Sequence, residues 1–425
     1  MPVEPKVLVV GTTSDYIHTL RRSLPGRALF LTDETIRHRA VEPCPLPDEE
    51  VVANLEDVPG VRAALRHHLS ATGTVPDGVA CFDDESMELA ARLASDYHMP
   101  YPSVKAVRQC RDKFRTKICW QRAGVPCPST VRVWECDEAV EFVRRLGRPA
   151  VIKPSVGAGS ELVYRVADAA QTERVFHRVQ RELAHRHQRA LFRPVDGETS
   201  PLVIEELVEG EEYSCDFAID GTDLRLLRTA RKIFLPGGPL GTALAYVAPA
   251  DPPLPIQPRE LEALLRSAAE ALDVRSAICM VDLRFRDGEP VLLELAPRPG
   301  GDCIPPLVRY AYGIDMLEAT LDFACDRLDL HRPPPAATPH VGLRLFASGA
   351  GVIRRLETDA IARDPRVREV HLIRAPGQEV RLPPADYDSW LLGHVIFAPD
   401  ATASVEHQCL ALRDVLGFEM EGDDG

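Results

Sequence analysis

Asp282 and Glu294, both in AICMVDLRFRDGEPVLLELAPRPGGD (277–302), are the side chains whose types and spacing most directly allow chemistry. Val281, Leu283 and Phe285 alternate with Asp282 and Arg284. Past Asp287-Gly288, Val291, Leu293 and Leu295 alternate with Leu292 and Glu294, the period-two pattern of a β-hairpin. A two-residue turn would set Glu294 against Val281 and mix the faces. A three-residue turn of Asp287, Gly288 and Glu289 sets Asp282 against Glu294 and leaves the six apolar residues on the other face. Opposed Cβ atoms lie roughly 4.5 to 5.5 Å apart, close enough for two carboxylates to share a hard divalent cation. Arg298 and Gly300-Gly301 follow at once, a planar cationic fork beside unshielded backbone amides, which suits an anion. The same residues would also make a surface hairpin with its acids in water, so the rest of the chain decides.

The elements that must position this pair carry further charge. RDKFRTKICWQRAGVP reads as a helix with Asp112 as N-cap, Gly124 as C′ and Pro126 as stop. Lys113 sits in its first turn, where a lysine opposes the helix dipole and a nearby phosphate would explain it. After a strand at 131–134 and a helix at 137–146, Lys153 interrupts the buried strand of PAVIKP, a position that requires an anionic partner or a lowered pKa. The loop from Ser155 to Ser160, with Gly157 and Gly159, can curl backbone amides around phosphates, although it has no G-K-[ST] signature. LVIEELVEGEEYSCDFAIDG (202–221) is a strand, a polar linker and a second strand. Such a crossing can offer backbone groups to an adenine edge, and an acid a few residues on can bond ribose hydroxyls. A strand with Arg228, Arg231 and Lys232 leads to a Gly/Pro-rich stretch, 236–258, read as a lid loop.

Upstream, KVLVVG and Ala28–Thr32 are strands around a helix, and DGVACFDD is a strand ending in acids before the amphipathic helix 86–97. The dinucleotide fingerprint is absent, since only Gly11 follows the first strand. Residues 1–108 therefore read as an α/β scaffold and substrate wall. Helices are expected at 261–272 and 304–330, flanking the hairpin. RPPPAATP (332–339) reads as a linker, and beyond it come short strands, a helix at 404–416 and an acidic tail expected to be disordered.

Composition narrows the class. A chain of 425 residues and 45% hydrophobic content implies two or three packed domains. No run approaches the ~18 apolar residues of a membrane span, and the N-terminus lacks a signal-peptide pattern. Eleven cysteines without a C-x-x-C pair fit reduced thiols, hence a cytoplasmic protein with no membrane partner. The formal charge of -14 and the lack of a long basic run argue against nucleic acid.

In order and spacing the segments resemble the ATP-grasp superfamily across essentially the whole chain: D-K-x-x-x-K at Lys113, V-I-K-P at Lys153, E-x-x-V-x-G-x-E from Glu205 to Glu212, then Asp282 and Glu294-x-x-x-Arg298. The resemblance implies a multidomain α/β and α+β chain, with a pre-ATP-grasp α/β domain (1–108), a two-part ATP-grasp domain (109–332) and a small C-terminal α+β domain (338–425). It implies that Lys113 and Lys153 contact ATP phosphates and that the loop carrying Ser155, Gly157, Gly159 and Ser160 covers them. Glu205, Glu206 and Val208 would form the adenine hinge, Glu212 would bind ribose, and Asp282 and Glu294 would hold magnesium, with manganese as a substitute and two ions expected. Arg298 would steady an acyl phosphate with the amides at Gly301, and Lys232 is a weaker candidate for the γ-phosphate. The linker, G-V-I-R-R at 351–355 and the later Pro376-Gly377 resemble the L-amino acid ligase and carnosine synthase branch. The implied activity is ADP-forming ligation of a small carboxylic acid to an amine, amino acids being candidates, with a homodimer allowed for. A phosphotransferase or a carboxyphosphate-forming carboxylase is the alternative. Two departures stand out. Ala296 replaces a metal-binding Asn, and TALAYVAP places Ala243, Ala245 and Ala248 where dipeptide ligases carry lid residues, so an acid substrate without a free α-amino group is expected unless Asp83 or Asp84 supplies the charge.

Overall fold

The apolar run Val7–Val10 forms strand β1, and its four side chains are fully buried. The computed structural model describes residues 5–186, 189–195, 201–253, 256–333 and 336–421. Around β1 are wound α1 (Ser14–Ser23), β2 (Ala28–Asp33), α2 (Glu34–Arg39), β3 (Glu50–Ala53), α3 (Val58–Thr72), β4 (Gly78–Ala80) and α4 (Met87–Asp96). The strands pair in parallel in the order β3-β2-β1-β4, as expected for continuously apolar strands flanked by helices. The acids Asp83, Asp84 and Glu85 fall just past the C-terminal end of β4, where open α/β sheets bind ligands.

α5 (Val104–Arg111) leads into α6 (Lys113–Ala123), whose start was legible: the Asp112 carboxylate accepts from the Phe114 and Arg115 amides, both at 3.0 Å. Next come β5 (Thr130–Val133), α7 (Cys136–Leu146), β6 (Ala150–Pro154), β7 (Tyr164–Val166), α8 (Ala169–Ala184) and β8 (Leu202–Glu206), forming a four-stranded antiparallel sheet ordered β5-β8-β6-β7. β9 (Glu211–Asp220), β10 (Asp223–Phe234), β11 (Ala243–Ala248), α9 (Pro258–Ala271), β12 (Ser276–Arg286), β13 (Glu289–Ala296), α10 (Ile304–Tyr312) and α11 (Met316–Ala324) follow. After them come β14 (His340–Phe346), β15 (Gly351–Glu357), α12 (Asp359–Ala362), β16 (Val367–Leu372), β17 (Glu379–Val380), β18 (Leu391–Phe397), α13 (Val405–Asp414) and β19 (Gly417–Met420).

Two expectations are corrected by the topology. The stretch read as a lid loop contains β11, which is central in an eight-stranded antiparallel sheet ordered β13-β12-β9-β10-β11-β14-β18-β16. Its Ala-Leu-Ala-Tyr-Val-Ala sequence pairs with β10 on one side and β14 on the other, so glycines and prolines at its ends concealed a strand whose small residues let neighbours approach. The same pairing carries β14, β18 and β16 into the sheet. The C-terminal residues thus extend the principal sheet, and only β17-β15-β19 form a sheet of their own. The helical stretch 304–330 is two helices, broken at Gly313. Residues 254–255 of the expected lid, 334–335 of the expected linker and the tail 422–425 lie outside the described residues.

No helix among the described residues is long and apolar enough to cross a membrane. All eleven cysteines are unpaired.

Candidate active site

The hairpin β12–β13 does set Asp282 opposite Glu294, but not through a three-residue turn. Arg286 pairs with Glu289, leaving the two-residue turn Asp287-Gly288, whose φ values of 52° and 85° are those of a type I′ hairpin. That turn alone would oppose Glu294 to Val281. A β-bulge between Asp282 and Leu283 restores the acid pair, because Leu283 pairs with Leu292 and Leu293 is the extra residue. The bulge also shifts the apolar phase. Leu292 and Leu295 join Val281, Leu283 and Phe285 in the core, whereas Leu293 faces a pocket and its carbonyl accepts from the Lys117 ammonium.

Four lysines converge on this pair. Lys113 and Lys117 lie one turn apart on α6 and so share a face. Lys113 Nζ donates to the Gly157 carbonyl at 2.5 Å. Lys117, fully buried, lies 3.9 Å from Glu205 Oε2, and the other oxygen of that carboxylate ion-pairs with Lys153. From β10, Lys232 reaches Asp282 Oδ2 at 2.5 Å and Glu212 Oε1 at 2.9 Å. Arg284 holds the second Glu212 oxygen at 2.8 Å and the Val208 carbonyl at 2.8 Å. Charges this concentrated shift one another. Burial, aided by Glu294 and Glu212 and opposed by Lys232, pushes Asp282 up to about 6. Burial would also raise Glu294, but Lys113, Lys232, Lys153 and Lys117 outweigh it and hold that carboxylate at about 2. Burial brings Lys117 down to about 8 against the pull of Glu205, and it lowers Lys113 despite Glu294. Lys232 is raised because Asp282 and Glu212 overcome its burial.

Three carboxylate oxygens remain available. Asp282 Oδ1 is buried without a hydrogen-bond partner, and no hydrogen bond or ion pair among the described residues holds Glu294. Hard oxygen donors in that state fit a hard divalent cation. Among the described residues no cluster of three or more His, Cys, Asp or Glu completes such a site, so ligand oxygens would supply the rest. Ala296 follows the pair and offers no donor.

A pocket of about 130 Å³ lies between the two antiparallel sheets. It is lined by Lys113, Lys153, Glu205 to Val208, Glu212, Lys232, Leu293 and the glycine loop. Gly157 (φ 138°) leaves no room for a Cβ, which would come 2.8 Å from the Phe192 ring. Gly159 and Ser160 are also left-handed, at 66° and 61°. Ser155 does not line the pocket. It is buried, accepts from the Lys113 amide at 2.8 Å, and so ties the strand to the start of α6. The expected adenine hinge is narrower than read. The Glu206 and Leu207 amides are taken by Ser129 (2.9 Å) and Pro149 (3.1 Å), while among the described residues the Val208 N–H has no partner. The Glu206 carboxylate pairs with Arg148 and Arg286.

A cavity of about 1410 Å³ shares the Asp282–Glu294 wall with this pocket and extends beneath the ends of β1, β2 and β4. Arg298 lines it but is not a free fork: Asp84 takes Nε at 3.0 Å and Nη2 at 2.5 Å, and Nη1 donates to Pro299 O. Gly300 N also has an owner, the Asp216 carboxylate at 3.3 Å, itself paired with fully buried Arg228 at 3.0 Å. Gly301 faces the cavity with open space around it. Of the three alanines, only Ala243 borders the cavity, while Ala245 and Ala248 are wholly buried. Acids reach the cavity from elsewhere, including Asp33, Glu85, Asp302 and Asp386, so neutral β11 does not leave it without negative charge. The sequence reading missed Lys117 as a site residue although it ends D-K-x-x-x-K. It also missed Arg284, Asp216 with Arg228, and Asp84 as the partner of Arg298, which no spacing signals.

The ATP-grasp domain family matches residues 146–306. The crystal structure of L-amino acid ligase from Bacillus licheniformis has a TM-score of 0.76 at 18% identity, covering 99% of this chain and 100% of that one, which is a likeness of fold. Carnosine synthase 1 of Homo sapiens is 26% identical over 67% of this chain and 35% of its own length. D-alanine–D-alanine ligase of Paracidovorax citrulli is 28% identical over 57% of this chain and 72% of its own. The match therefore spans about a third of the carnosine synthase. Residues 146–306 form an ATP-grasp domain, and the chain has the ATP-grasp fold.

Proposed function

We propose that this chain is an ATP-dependent carboxylate–amine ligase that forms an amide through an acyl phosphate and releases ADP and phosphate. The observation that carries the reading is the shared wall. A small lysine-ringed pocket suited to a nucleotide and a large polar cavity suited to two further substrates meet at Asp282 and Glu294. The relatives support it, since the names they bear are those of ligases and a synthase.

In this reading the nucleotide base lies at Val208, and Glu212, held rigid by Lys232 and Arg284, faces the ribose. Lys113 and Lys153 take phosphate oxygens under the loop of Gly157, Gly159 and Ser160, with Ser155 as its anchor and Glu205 as the counter-charge that keeps Lys153 and Lys117 in place. Asp282 and Glu294 would hold Mg2+, one ion or two with phosphate oxygens as further ligands, and bound there the metal would draw charge off the transferred phosphoryl group. Lys232, fixed by two carboxylates, adds positive charge on the cavity side. Arg298, oriented by Asp84, and the Gly301 amide would face the acyl phosphate. Catalysis is then positioning and electrostatics, with no nucleophilic side chain. Unpaired thiols favour a reducing, cytoplasmic setting.

Attack falls on the γ-phosphorus when the metal carboxylates and lysines gather at the pocket's cavity end, so the products are ADP and phosphate. The test is a panel of acids and amines scored for ADP, AMP, phosphate and amide, together with label scrambling between the β,γ-bridge and non-bridge oxygens of ATP when acid is present without amine. Formation of AMP and pyrophosphate, or phosphate retained on the product, rejects the proposal.

A further inference from the structure

Resting on the ligase reading, we propose that Arg344, on β14 and outside the matched ATP-grasp domain, is a specificity-determining residue that binds a carboxylate carried by the amine substrate. The sheet register sets it on the site face. Lys232 pairs with Tyr246 and Tyr246 with Gly342, and Arg344, two residues past Gly342 on β14, points the same way. All but Gly342 line the large cavity. Gly342 has no side chain, and Cys303 Sγ occupies the space above it, 3.0 Å from where a Cβ would stand. That seats the turn before α10 against β14 and brings Asp302 beside Arg344, Nε to Oδ2 2.5 Å.

The guanidinium is held but not saturated. Nη1 donates to the Ala243 carbonyl at 3.1 Å, Nη2 makes no hydrogen bond among the described residues, and Nε, though close to Asp302, is buried without an aligned acceptor. Asp302 itself sits in the left-handed region, φ 58°, in the turn before α10. Arg344 lines the cavity with Nη2 still unengaged, and a guanidinium with a donor to spare is the side chain best suited to a planar carboxylate. The acid substrate must lie at the wall shared with the nucleotide pocket, where its carboxylate meets phosphate. The second substrate then occupies the next layer, about 10 Å across two strand spacings from Lys232, where Arg344 waits. Asp302 is a positioning residue for that guanidinium.

The test uses the full-length protein with glycine, L-alanine and β-alanine as amines, each against its carboxamide, with the acid that gives most amide in the panel. Arg344→Met is expected to raise KM for the carboxylate-bearing amines roughly 10- to 100-fold, leaving KM for the carboxamides and for ATP within about threefold. Arg344→Lys should recover part of the discrimination and Asp302→Asn lose part of it. These two variants also serve if the methionine form does not fold. Equal changes for carboxylate and carboxamide overturn the inference while leaving the ligase reading intact, as does a change confined to the acid substrate. No amide from any pair overturns the ligase reading and this inference with it.

Discussion

Replacing Glu294 by Gln removes one of the two carboxylates proposed to hold the metal while keeping its shape, and the lysine field makes the outcome quantitative. A shift from 4.5 to about 2 corresponds to about 3 kcal/mol of net favourable interaction between the ionised carboxylate and its surroundings. That stabilisation is fully present above the unfolded value near 4.5 and is lost as pH falls through the folded value near 2. Glu294→Gln should therefore lower unfolding stability by about 3 kcal/mol at pH 7, a difference from the parent protein that fades below pH 4.5. The chain should still fold, because the residue faces a pocket and not the core. Turnover should fall about 10³-fold, as when one preorganised electrostatic group is removed from a transition state. Four lysines lose an anion, so the site becomes more positive, and ADP without magnesium should bind the variant at least as tightly as it binds the parent. Isothermal titration with and without magnesium, beside steady-state rates at saturating metal, measures both. A variant that keeps more than a few percent of the parent rate, or that binds metal-free ADP more weakly, refutes the shared metal site.

Three substitutions probe the rest. Lys117, lowered from 10.5 to about 8, gives up its proton in the folded state while the unfolded chain still holds one, so its burial cost of about 3 kcal/mol is relieved between pH 8 and 10.5. Buried thiols such as Cys110 are raised and act in the opposite sense; the signature is therefore a parent-minus-Lys117→Met stability difference that grows with pH over that window in urea melts. Gly300→Ala should cost about 1 to 3 kcal/mol, since its Cβ would stand 2.8 Å from Arg228 Nη2 and 3.0 Å from Ile304. Gly301→Ala, with nothing nearer than Tyr16 at 3.9 Å, should leave the melting temperature unchanged.

What was legible in the sequence was local. Asp112 and Gly124 announced α6, the apolar run announced β1, and Lys153 announced an anionic partner, which proved to be Glu205. What was hidden depends on partners distant in sequence. β11 reads as loop because Pro and Gly flank it and alanine has little strand preference; its place is set by β10 and β14 pairing on either side. Asp84, past the end of β4, and Arg298, past the end of β13, lie 214 residues apart in sequence yet share a hydrogen bond, and nothing in either segment names the other.

The hairpin shows how a correct pairing can rest on a wrong cause. Alternation and charge required Asp282 opposite Glu294, and a longer turn was the simplest device to produce it. The chain keeps the tighter turn and inserts the extra residue at Leu293, next to the acids. The difference has chemical consequences. A three-residue turn would have left Leu293 in the core with a regular ladder around it. The bulge instead turns Leu293 into the pocket and frees its carbonyl from the ladder, where it accepts from Lys117. A fully buried ammonium thereby gains a fixed oxygen acceptor beside Glu205, and the helix that carries Lys113 is pinned to the strand that carries Glu294. The irregularity in β13 thus sets the acid pair and the lysine helix against each other in a single step, which regular pairing on either side could not do.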